Sequence, residues 1–183
     1  MSHQTLPFFS ALISCVLLAS PGLAHEFSLL LLAPAAASET EMDGMRAAFL
    51  IASAERDSHA NETSEGHLGG LDVQMTLARI GEATTGLVPD VVVAPFAMAG
   101  DAEVAALAAP GDAVIVDAGV LARITPEDRS DLAPFAERFE AGTGRPADAA
   151  ALGVYQAARV VDQAVRSVDS VGDRAGLRRA LGP

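Results

Sequence analysis

Phe27-Ser28-Leu29-Leu30-Leu31-Leu32-Ala33-Pro34 is a nearly continuous apolar run closed by a proline. A strand with one wet face alternates apolar and polar residues. A run without alternation reads as a strand buried on both faces, as in a parallel sheet covered by helices. Four residues past the proline, Ser38-Glu39-Thr40-Glu41 has the spacing of a capping box at a helix start. Met45, Ala48, Phe49, Ile51 and Ala52 then recur at three- and four-residue steps, which predicts a helix to about Asp57 with one face on the sheet. Buried strand followed by amphipathic helix sets the class as α/β.

The pattern repeats outward from this unit. Leu71 to Leu77 alternates and predicts a strand. Asp90 to Pro95 predicts a second buried strand, and Asp112 to Asp117 a fourth strand in all, ended by Gly119. About a dozen residues separate the second and third strands, with Gly81, Gly86 and Pro89 among them. That is close to the minimum for a parallel crossover, so any helix there has one or two turns at most. Asp101 to Ala109 reads as a short helix. After Ile124 the chain turns helical. Thr125-Pro126 is a helix start carrying Leu132, Phe135 and Phe139; a long helix follows from about Asp148 to Val168, and a last one from Asp173 to Leu181. The expected architecture is a single doubly wound lobe with a mainly parallel, four-stranded sheet covered on both faces and a helical C-terminal third.

Leu6 to Ser20 is apolar but shorter than the roughly 20 residues a membrane span needs. Pro21-Gly22-Leu23-Ala24 follows, with small residues where a signal peptidase reads. The expected organisation is a signal peptide over residues 1–24 and one exported domain over 25–183, divided into a strand and helix core (25–122) and a helical segment (123–183). The expected compartment is the periplasm. Cys15 is the single cysteine and lies in the part to be removed, so the exported chain forms neither a disulfide nor a thiolate metal site. A lipid anchor on Cys15 is a minor alternative, because the apolar run continues past it. The formal net charge is −12, and the 12 basic residues are all arginine. This balance argues against a nucleic-acid partner and against an anionic membrane surface.

Several segments together resemble the first lobe of periplasmic binding proteins of the branched-chain amino acid type, the receptors of ABC importers. Leu29 to Pro34 is similar to the family's first strand, Met45-Arg46-Ala47-Ala48 to a stretch of its first helix, and His67-Leu68-Gly69-Gly70 to its turn before the second strand. Phe135 to Phe139, Gly144-Arg145-Pro146, Ala151 to Ala158 and Asp173 to Leu181 resemble its C-terminal segment in order. The resemblance implies a solute-binding role in amino acid transport, with an ABC permease or another periplasmic protein as partner, no cofactor and no catalysis. The departures are equally specific. Family members have two lobes clamping the ligand, whereas here the fourth strand runs almost directly into the tail segment near Ile124. The loops after the first and third strands carry Ala35-Ala36-Ala37 and Phe96-Ala97-Met98-Ala99 where the family offers hydroxyls. A reduced receptor and an accessory or scaffold protein that lost the clamp are both compatible with this pattern.

No catalytic constellation is present: there is no Gly-x-Ser-x-Gly, no His-Glu-x-x-His and no cysteine nucleophile in the exported part. The candidate ligand contacts are Ser38 and Thr40 after the first strand, Phe96 after the third and Asp117 after the fourth. All follow the C-terminal ends of strands, where α/β ligands bind. His25 would be the new N-terminus and, with His59 and His67, a conceivable copper site. No metal-ligand spacing connects the three, and they read as solvated surface residues. No metal is expected. The oligomeric state is not written in the sequence. Intact-mass measurement of the exported protein should give a chain beginning at His25; a retained Met1 or a lipidated Cys15 would refute the cleavage assignment.

Overall fold

The computed structural model describes residues 26–55, 66–82, 86–94, 102–117, 132–168 and 170–181. Strand β1 is Glu26–Ala33 and helix α1 is Glu39–Ala54. The two-residue strand β2, His67–Leu68, turns through Gly69 and Gly70 into β3, Leu71–Arg79. Then come β4 (Val91–Ala94), α2 (Ala102–Ala108) with a 3-10 turn at Ala109–Gly111, and β5 (Val114–Asp117). Three helices close the chain: α3 (Leu132–Thr143), α4 (Ala149–Arg166) and α5 (Arg174–Leu181).

The fold is α/β with a mixed five-stranded sheet in the order β2-β3-β1-β4-β5. β1 runs parallel to β3 and β4, and β4 parallel to β5; β2 pairs antiparallel with β3. The expectation of four strands is therefore corrected to five. The additional strand escapes a periodicity reading because two residues have no period. It exists because Gly69 and Gly70 take positive φ, +69° and +83°, which folds Leu68 back on Leu71. Gly69 also has no room for a side chain, since a Cβ there would collide with Val165 of α4.

β1 lies between β3 and β4, so both of its edges are hydrogen-bonded, and Leu29 to Ala33 are all at most 1 % exposed. Its odd positions Leu29 and Leu31 join Met45, Phe49, Tyr155, Val161 and Leu177 in the larger core, under α1 and α4. Its even positions Leu30 and Leu32 join Val92, Ala94, Val104 and Ala108 in a smaller core under α2. The two faces are thus covered unequally. The described part of the connection from β3 to β4 contains no helix, and the outward face of β3 shows Gln74 and Thr76 to solvent. Where the crossover helix is missing, the strand carries polar residues in its place.

The N-terminal edge of the sheet is fastened by aspartates. Asp90 Oδ2 accepts from the amide (2.8 Å) and hydroxyl (3.0 Å) of Ser28, and its other oxygen pairs with Arg174 of α5. Asp112 stands just before β5 with φ +51° and pairs with Arg178 at 2.6 Å. The strand begins at Val114 rather than at Asp112, because the aspartate is taken up in the left-handed turn that precedes it. Arg178 is therefore held by a specific partner in addition to its place at a helix C-terminus.

Burial opposes ionisation of Asp90, but the Ser28 amide and the Arg174 guanidinium outweigh it and hold its carboxyl below the ordinary 3.8. A depressed carboxyl contributes stability above its unfolded value and loses it as pH falls through the folded value. The loss attributable to Asp90 therefore falls below pH 3.8. Urea midpoints measured at pH 6 and pH 3 should show an acid-side drop that is smaller in Asp90→Asn, although that variant is less stable at pH 6.

Candidate functional site

The loop after β1 meets the N-termini of α1 and α4, and a cavity of about 370 Å³ opens there. This is at the low end of the roughly 300–1,000 Å³ of small-molecule sites. Pro34, Ala36 and Ala37 wall it from the loop after β1, Ala149 and Ala150 from the first turn of α4, and Met45 forms its buried floor. Its two ionisable lining residues are Glu41 and Asp148.

Each of these carboxylates is positioned by the helix it starts. The loop after β1 turns on itself through a 2.9 Å bond from the Ala37 amide to the Pro34 carbonyl. Ser38 then caps α1. Its amide donates to Glu41 Oε2 at 2.8 Å, its hydroxyl donates to the same oxygen at 2.7 Å, and the Glu41 amide approaches the hydroxyl at 3.3 Å. The Ser38 amide and hydroxyl hold the Glu41 carboxyl below its ordinary value, while Asp148 opposes this from across the cavity. Asp148 caps α4 by accepting from the Ala151 amide at 2.8 Å. Burial pushes its carboxyl up, but the Ala151 amide and Arg145 outweigh that and leave it lowered.

Arg145 joins the pieces. It donates to Asp148 Oδ2 at 3.0 Å and to the Thr40 carbonyl at 2.7 Å, and its guanidinium stands 5.4 Å from the centre of the Phe139 ring. It reaches Thr40 by crossing α1 at Gly44, where a Cβ would collide with the guanidinium. A glycine inside a helix costs about 1 kcal/mol relative to alanine; here the missing side chain makes room for the arginine. On the far side of the loop, Arg79 at the end of β3 donates to the Ala37 carbonyl at 2.8 Å and pairs with Glu39 and Glu82.

The candidate contacts fall as follows. Ser38 does not line the cavity; it caps α1, with its hydroxyl engaged in the capping box. Thr40 is exposed in the first turn of α1 and contributes its carbonyl to Arg145. Phe96 lies outside the described residues, as do His25 and His59. Asp117 is the last residue of β5. His67 corrects the surface reading. It is 7 % exposed, and its Nε2 lies 2.7 Å from Asp72 across the β2–β3 pair. The polar sequence around it conceals this, because burial comes from α4 and α1, which are distant in the chain.

Sequence reasoning registered Glu41 and Asp148 only as helix starts. The usable signal was Gly44, an unexplained glycine inside an amphipathic helix. It also passed over the cluster around Glu55, which accepts from the Tyr155 phenol at 3.0 Å and from Arg159 at 3.1 Å and pairs with Arg138. Tyr155 stacks on Phe135 with ring centres 4.1 Å apart, so this cluster ties α1, α3 and α4 together. Among the described residues, no group of three or more His, Cys, Asp or Glu side chains is placed to hold a metal ion, and no helix is long and apolar enough to cross a membrane. No family model, curated protein or solved structure matches the chain.

Gly44→Ala should lose stability by about 1 kcal/mol, because displacing Arg145 outweighs the gain in helix propensity. In an Arg145→Ala background the same change should instead stabilise by about 1 kcal/mol. Urea unfolding of the four proteins closes the cycle; a stabilising Gly44→Ala in the wild-type background would show that Arg145 moves aside freely.

Proposed function

We propose that this chain is a solute-binding lobe of the branched-chain amino acid receptor type, a periplasmic component of an ABC importer in reduced form, and not an enzyme. The observation that carries the reading is the strand order. β3 lies on one side of β1, and the chain then crosses to β4 on the other side, so the winding reverses between β1 and β4. In doubly wound sheets, ligands bind outside the carboxyl ends of the strands at such a reversal. The alanine-walled cavity opens at the carboxyl end of β1. The single lobe, the helical C-terminal third packed across α1, and the ordered resemblance of the tail segments support the same reading.

A second reading, an accessory protein that kept the lobe and lost the clamp, is favoured by one specific observation. The Ser38 hydroxyl and the Ala151 amide would be natural partners for an amino acid carboxylate. They are engaged with Glu41 and Asp148 instead. Burying a charge without paired donors costs several kcal/mol, and a single lobe leaves one side of a ligand in water.

Titration calorimetry of the exported chain with leucine, isoleucine and valine should give Kd values of about 1 mM or weaker, near −4 kcal/mol. Micromolar binding would restore the ordinary receptor reading. Complete absence of heat with these and with other amino acids would favour the accessory reading.

A further inference from the structure

We draw no further inference here: the strongest candidate, the alanine-walled cavity between the loop after β1 and the first turns of α1 and α4, belongs to the site already described, and its two carboxylates, Glu41 and Asp148, are engaged within the protein with nothing in the structure to show what would cover it.

Discussion

Everything in this fold is arranged around a strand that cannot touch water on any side. β1 is paired along both edges and buried on both faces. Its backbone groups must be satisfied from within the protein, by β3 and β4 and, at Ser28, by the Asp90 carboxylate. Its leucines must be covered twice, once by α1 and α4 and once by α2. A sequence with one such strand is committed to neighbours of the same direction and to helices on both sides. The loop after β1 is then carried to the point where α1 begins, and the cavity lies there.

The parts of this arrangement legible in the sequence are those set by neighbours in the chain. The apolar run ending at Pro34, the Ser38 to Glu41 box and the helix start at Asp148 each state a local requirement, and β1, α1 and α4 stand within a few residues of where those patterns put them, while the helix start at Thr125-Pro126 lies outside the described residues. What was not legible depends on partners far away in sequence. His67 stands among glycines and charged residues yet is buried, because α4 arrives over it. Arg145 looks like a loop residue until Gly44 is seen to lie beneath it. Asp162, a carboxylate on the buried side of α4, pairs with Arg166 one turn on and also accepts from the Gly69 amide 93 positions away, to which it presents Oδ1 at 2.8 Å.

Acidic composition and arginine-only cations have a clear structural use here. Arg138, Arg159, Arg174 and Arg178 each reach from one element to a carboxylate on another, and the elements so joined are those of the C-terminal third and those of the strand and helix core. Exposed pairs of this kind contribute at most about 1 kcal/mol each. Glu55 is different, because it is mostly buried and receives a phenol and two guanidiniums at once. Removing one partner there leaves charge in a poorly solvated place, where the cost is much larger than for a surface pair.

The seating of α4 on α1 has a consequence for how the chain is made. Glu55 and Tyr155, which meet in that contact, are 100 positions apart. A growing polypeptide lays down β1 and α1 first, and their shared apolar face stays uncovered until the helix ending at Arg166 has been synthesised. Contacts between distant segments slow folding, since the loop between them must be closed before any reward is gained. The larger core is thus left open until the last third arrives, whereas the smaller core under α2 is built entirely from residues that precede α4.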